Sequence, residues 1–205
     1  QDCAHSFFAN GIQKEGIAAF YGLNVSKIIT SIFGGMVTTD DDLFAQNLRD
    51  VRQKMVKPGG YLKTLRRTSY LIAVWIAFFP WIYGIVNRLE RSGLLNRFVK
   101  YYEPSVIDLP KDAFIGMTGL EARIGAKQCE RYDVIVQHRR DLAAIYDSEL
   151  DGVNGLILPK KVKGHTYSHY AIQSAKAEQI KLHLHKRGIQ LGSVIDYEVP
   201  DMASY

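Results

Sequence analysis

From Tyr70 to Val86 the chain reads YLIAVWIAFFPWIYGIV, seventeen residues without a charge. A continuous helix of that length would run about 26 Å at about 1.5 Å per residue, close to the roughly 30 Å hydrocarbon thickness of a bilayer. Pro80 interrupts it, and a proline inside a helix removes a backbone hydrogen bond and bends the axis. Three outcomes remain: a helix buried in a protein core, a segment that dips into a membrane and returns, or one that lies in the membrane interface. A single full crossing is excluded if both flanks belong to one fold on one side of the bilayer. Lys63, Arg66 and Arg67 precede the run and Arg88 and Arg91 follow it, and these add attraction to anionic lipid. Residues 60–100 are therefore expected to contact a membrane surface.

The charge supports this localisation. Eleven basic and two acidic residues lie between Arg49 and Lys100, so the rest of the chain carries −4 of the net +5. The sequence pI of about 9.1 is thus the property of one segment, and it is no nucleic-acid footprint. The two cysteines, Cys3 and Cys129, have neither disulfide-framework nor metal-ligand spacing, so a reducing, cytoplasmic compartment is expected, peripheral to the cytoplasmic membrane. The chain opens on Gln1 and closes on EVPDMASY, which reads as an internal fragment of a longer protein.

Outside the basic segment the pattern is α/β. Strand-like runs at QDCAHSFFA, at Ile17 to Leu23 and at Gly34 to Thr39 are separated by glycine turns. Thr39 and Asp40 to Asp42 then open a helix whose N–H groups they can cap, with Leu43, Phe44, Leu48 and Val51 as its apolar stripe. Helical periodicity returns from Gly119 to Leu150, and an unbroken helix there would measure about 45 Å. A β-β-α-β order follows: LILP, YSHYAIQS, a helix from Ala175 to Arg187 stopped by Gly188, and a strand from Ile189. The expected organisation is 1–50, 51–112 and 113–205.

Lys27 is the lysine that needs a reason, because NVSKIITSIFGGM places it in an uncharged strand-to-loop transition. Either it is a loop lysine whose stem packs while its amine stays in water, or it is a desolvated amine of lowered pKa, nucleophilic enough to bond the aldehyde of pyridoxal phosphate. That cofactor also needs a carboxylate opposite its pyridinium nitrogen, and Asp2 is the candidate. Asn24 either lines such a site or caps the loop. His165 and His169 could share a strand face without a third ligand, and His183 and His185 point about 200° apart on a helix, so no metal site is expected.

The combination QDCAHSFFANG…IAAFYGLNVSKIITSIFGGMVTTDDDLF resembles the DegT/DnrJ/StrS family of pyridoxal-phosphate sugar aminotransferases. By that resemblance the chain is a fragment of a fold-type I PLP-dependent transferase: the C-terminal part of the large domain (1–50), a basic and hydrophobic insertion (51–112), then the long helix and small α+β C-terminal domain (113–205). Lys27 would be the Schiff-base lysine, Asp2 the partner of the pyridine nitrogen and His5 a neighbour of the ring near its phenolic oxygen. Gly22 stands where the family usually has a phosphate-binding serine, and Phe33 where it has a glutamate. FIGM, Phe114 to Met117, keeps only the methionine of an Asn-x-Arg-Met stretch. The resemblance implies transamination of a nucleotide-activated keto-sugar for cell-envelope glycan, an amino-acid donor such as glutamate, and a homodimer. The departures keep open a degenerate aminotransferase fold that serves as a membrane-associated scaffold.

Overall fold

In the computed structural model, which describes residues 1–9, 16–92 and 112–193, the first regular structure is a short antiparallel ribbon. Strand β1 (Ala19–Gly22) pairs with β2 (Gly35–Thr38), with Ala19 opposite Thr38 and Gly22 opposite Gly35. The alternation of buried Ala19 and Tyr21 with exposed Phe20 is the period-two signature of a half-buried strand. The expected strand before Gly16 is reduced to one pairing: Asp2 bridges Phe20, through Cys3 N–H to Phe20 O at 2.9 Å and Phe20 N–H to Gln1 O at 3.0 Å.

Between β1 and β2 the chain makes a folded loop. It is closed by Leu23 N–H to Gly34 O and by Ser31 N–H to Leu23 O, both 2.9 Å. Ile28, Ile29 and Ile32 are buried under it with Cys3, Tyr21 and Val136. Ile32 has φ +75°, an uncommon backbone state for a β-branched residue. It is held there by its own N–H donating to Thr30 Oγ1 at 2.9 Å and by full burial of the side chain.

Helix α1 (Asp42–Met55) starts as the sequence indicates, although of the three aspartates it is Asp41 that caps, its carboxylate accepting Phe44 N–H at 2.9 Å. Its apolar stripe is largely in solvent: Leu43 and Val51 are exposed and only Phe44 is half-covered. The apolar run then forms two helices, α2 (Tyr61–Ala77) and α3 (Pro80–Arg91), bent by 103° at the break before Pro80. No single described helix is long and apolar enough to cross a membrane.

The expected long helix is divided into α4 (Gly119–Glu130) and α5 (Tyr132–Glu149). Arg131 leaves helical geometry at φ −96°, ψ 3°, and its N–H bonds Gln128 O in a tighter turn. Of the β-β-α-β order, the two strands shrink to a bridge between Ile157 and Gln173, since Pro159 has no N–H to extend the ladder. Helix α6 (Ala177–His185) ends as expected before Gly188, at φ +79°. Residues 189–193 are not in a strand, and the remainder of that expected strand lies outside the described residues.

The described residues of 1–45 and 125–193 form one compact unit, and those of 46–124 form another. In the second unit, Thr118 and Glu121 make a reciprocal cap on α4. Glu121 Oε2 accepts Thr118 N–H at 2.8 Å, and Glu121 N–H reaches Thr118 Oγ1 at 3.3 Å. Arg67 Nε donates to the same carboxylate at 3.0 Å.

Candidate active site

Lys27 sits on a turn built by its neighbours. Asn24 Oδ1 accepts Ser26 N–H at 3.1 Å and Ser26 Oγ–H at 2.7 Å, and Lys27 N–H donates to Asn24 O at 3.1 Å. Asn24 thus caps the loop that carries Lys27. Gly22, at the end of β1, is where the lysine stem passes: a Cβ there would lie 3.2 Å from Lys27 Cε and 3.8 Å from Cγ. The missing side chain leaves the stem its path out of the loop.

The amine ends 2.7 Å from His5 Nε2. Burial holds the Lys27 pKa below the usual lysine value, while the charge of Asp2 pulls it back up. The same burial, reinforced by Lys27 and His169, holds His5 below the usual histidine value against Asp2. Asp2 is fixed by its own turn, Oδ1 accepting Ala4 N–H at 2.9 Å. The structure thus brings Lys27, His5 and Asp2 into one electrostatic neighbourhood, with Gly22 against the lysine.

Two further residues close the site, and sequence reading did not find them there. Ser168 Oγ lies 3.3 Å from His5 Nδ1 and 3.2 Å from His169 Nδ1. The His5 and His169 rings are 5.3 Å apart. Lys27, His5, Ser168 and His169 form a hydrogen-bonded chain with two self-consistent proton arrangements. With Lys27 charged, its N–H donates to His5 Nε2, His5 Nδ1–H to Ser168, and Ser168 O–H to His169. With Lys27 neutral every donor reverses. Every member of the chain therefore stays hydrogen-bonded in either arrangement.

Helix α5 positions both sides of this chain. Tyr132 Oη donates to Phe7 O at 2.9 Å and is 3.2 Å from Phe8 O. Arg139 Nη1 donates to Tyr167 O and Ser168 O, both at 3.1 Å, and Arg140 Nε to His165 O at 3.0 Å. Phe8 and Tyr167 are both left-handed, at φ +46° and +47°, a state costing of order 1–3 kcal/mol each in non-glycine residues. The bonds from α5 hold the two strained loops that present His5 and Ser168. His165 is used inside its loop, Nδ1 accepting Tyr167 N–H at 2.9 Å. His183 and His185 are exposed on α6. Among the described residues, no group of three His, Cys, Asp or Glu is placed to hold a metal.

The chemistry of this set fits pyridoxal phosphate: an amine of lowered pKa for its aldehyde, a carboxylate to balance a pyridinium, and a neutral imidazole beside the amine. Residues 93–199 match the DegT/DnrJ/EryC1/StrS aminotransferase family. The chain is 25% identical over 178 residues to the uncharacterized protein MJ1066 of Methanocaldococcus jannaschii, covering 84% of this chain and 37% of that protein. Among solved structures it resembles PseC of Helicobacter pylori, an aminotransferase involved in the biosynthesis of pseudoaminic acid (TM-score 0.58, 15% identity, 97% of this chain and 46% of that one). It also resembles Spr1654 of Streptococcus pneumoniae in its PLP form (TM-score 0.57, 17% identity, 92% and 41%), a protein also solved in its PMP form. DesI, solved in the presence of its TDP-sugar product, matches at TM-score 0.51 and 13% identity over 85% of this chain and 35% of DesI. The chain thus spans less than half the length of these relatives, and at these identities the structural likeness speaks to fold.

Proposed function

Because the chain belongs to the DegT/DnrJ/EryC1/StrS aminotransferase family, whose aminotransferases use pyridoxal phosphate, we propose that it is part of an enzyme that transfers an amino group to the keto group of a nucleotide-linked sugar. The observation that carries this reading is the 2.7 Å contact between Lys27 Nζ and His5 Nε2, with both groups held below their ordinary pKa beside Asp2. A sugar substrate is supported by PseC and by the TDP-sugar product present with DesI.

Lys27 would hold the cofactor through its aldehyde carbon, with Asp2 as the counter-charge of the pyridine nitrogen and His5 as the neighbouring imidazole. When bound, pyridoxal phosphate supplies an electron-withdrawing ring that makes the adjacent C–H acidic. Lys27 Nζ is the atom that takes up and returns this proton, and the lowered pKa keeps a fraction of it neutral for the task. His5 Nε2 would accept a hydrogen bond from Lys27 and so orient the amine, with Ser168 linking His5 to His169. An amino acid such as glutamate serves as donor, and a cytoplasmic homodimer that feeds envelope glycan synthesis is the assembly that accords with the family.

Expression of the full-length protein with pyridoxal phosphate tests the reading. Visible absorbance of protein-bound cofactor is expected in the wild type and absent in Lys27→Ala. A colourless wild type refutes it. Conversion of glutamate to 2-oxoglutarate only when a nucleotide keto-sugar is present tests the substrate class.

A further inference from the structure

We propose that the bent pair α2–α3 is a hairpin that inserts its corner, residues 75–85, into the interface of an anionic lipid membrane. Four features of the second unit carry this.

The chain before α2 and the chain from residue 112 onward run side by side. Lys57 N–H donates to Phe114 O at 2.9 Å and Gly116 N–H to Lys57 O at 2.8 Å. A Cβ on Gly59 would lie 2.7 Å from Gly116 O. Lys63 Nζ ties the first turns of α2 to the same segment, at 2.8 Å from Ile115 O and 3.0 Å from Gly116 O. Arg67 adds Asp112 at 2.7 Å and Glu121 at 3.0 Å. Both ends of the segment are thus anchored on one side, so it approaches a bilayer and returns.

Beyond that anchorage the described surface is apolar and exposed. Trp81 is 85% exposed, Phe78 69%, Trp75 66% and Ile85 57%. The apolar part of α2 after Ser69 is about 12 Å long and the apolar part of α3 after Pro80 about 9 Å at about 1.5 Å per residue. These lengths match the roughly 5–10 Å depth of an interfacial helix and fall well short of the roughly 30 Å needed to cross.

Four backbone amides of the corner are already bonded within the chain. At the break Phe78 N–H donates to Val74 O at 3.1 Å, Phe79 N–H to Ile76 O at 3.0 Å, Ile82 N–H to Phe79 O at 2.9 Å and Tyr83 N–H to Phe79 O at 2.8 Å. Pro80 has no N–H to satisfy, so these amides are already paired as an apolar medium demands. Trp75 packs edge-on against Phe79 at 4.9 Å and Phe78 stacks on Tyr83 at 5.8 Å, so aromatic pairs hold the angle. Tryptophans at such a corner match the headgroup level they favour in membranes.

Charge identifies the partner. Residues 46–92 carry nine basic and two acidic side chains. Lys63 and Arg67 are spent internally, but Arg66 and Arg88 are exposed at the two ends of the apolar surface, with Arg49, Arg52 and Lys54 exposed on α1. A basic rim around an aromatic apex is complementary to anionic headgroups over acyl chains.

Trp75 and Trp81 are the only tryptophans of the chain and both lie at the corner. The test uses flotation of the full-length protein with phosphatidylcholine vesicles, with or without phosphatidylserine, and quenching of these tryptophans by brominated lipid. Expected are co-flotation and quenching with the anionic vesicles, binding roughly twenty- to thirtyfold weaker to phosphatidylcholine alone from about fivefold per arginine for Arg66 and Arg88, and loss of both in Ile76→Glu/Ile85→Glu. Both replaced residues are exposed, so circular dichroism of the variant should match the wild type. The proposal is overturned if wild type and variant float alike, if neither floats, or if the tryptophans are unquenched. It is equally overturned if the variant changes only the oligomeric state in lipid-free solution, which would identify a protein partner for this face. Cofactor absorbance is read on the same samples and is independent of these outcomes.

Discussion

Replacing Arg67 by methionine removes a cation from the most buried carboxylate among the described residues of the second unit while keeping most of the side-chain volume. Glu121 is 1% exposed. Its Oε1 accepts Arg67 Nε at 3.0 Å, its Oε2 accepts Thr118 N–H at 2.8 Å and Oγ1–H at 3.0 Å, and Lys63 Nζ stands at 3.9 Å. After Arg67→Met the carboxylate keeps its two bonds from Thr118, but its closest cation is the more distant Lys63, whose hydrogens are directed at two carbonyls. Breaking one side of a buried pair costs about 3–5 kcal/mol, and the remaining Lys63 places the expected loss near the lower end, about 3 kcal/mol. Asp112, 39% exposed, provides the control: Asp112→Asn breaks the other arm of the same arginine and should cost under about 1 kcal/mol, as exposed pairs do. Urea unfolding followed by far-ultraviolet circular dichroism is the assay, because the elements of this unit are helices. A double variant with Glu121→Gln should lose at least about 1 kcal/mol less than the sum of the singles. A cost below about 1 kcal/mol for Arg67→Met, equal to that of Asp112→Asn, would refute the burial argument and with it the rigid anchorage of α2.

Lys27→Ala should raise the His5 pKa toward the ordinary histidine value, since one of the charges that depress it is gone, while burial and His169 keep it below; ring-proton NMR titration reads the shift, and an unchanged midpoint refutes the coupling. Gly22→Ala should change stability by no more than about 1 kcal/mol, yet lower cofactor occupancy, because its Cβ would stand 3.2 Å from Lys27 Cε; absorbance against calorimetry separates the two effects. Tyr170 donates to Asp147 at 2.6 Å and keeps its proton up to about 12, above the ordinary tyrosine value of 10. Its contribution is complete below pH 10 and is lost as the pH rises toward 12, since the unfolded chain releases this proton first. Tyr170→Phe should flatten that alkaline limb of the stability profile.

The parts of the molecule that could be read in advance are those with short-range causes. The turn under Lys27 follows from Asn24 and Ser26, the start of α1 from Thr39 and Asp41, the end of α6 from Gly188, and the bend from Pro80. In each case the cause is local: a side chain bonding backbone groups within four residues, a glycine free to take a positive φ, or a proline without an N–H. Asp2, His5 and Lys27 could be named together because their pattern resembles a family's, although no spacing rule joins residues 2, 5 and 27. The long helix and the C-terminal strands were overestimated for the opposite reason. Periodicity shows what an element could be, but the tight turn at Arg131 and the absent donor at Pro159 decide where it stops.

What the sequence determined by itself is an amine in an uncharged loop, a proline-interrupted apolar run and a local excess of positive charge. Tertiary structure alone decided which groups these would meet. Ser168 reaches His5 across 163 residues of chain, placed by an arginine and a tyrosine on α5 that hold two left-handed loops. Lys63 and Arg67, indistinguishable in sequence from Arg66, turn inward to the carbonyls and carboxylates of residues 112–121 and leave Arg66 outside. The physical reason is the same in both cases. A hydrogen bond or ion pair within one turn is set by the residues' own order, whereas one between distant segments depends on which faces the buried apolar side chains bring together.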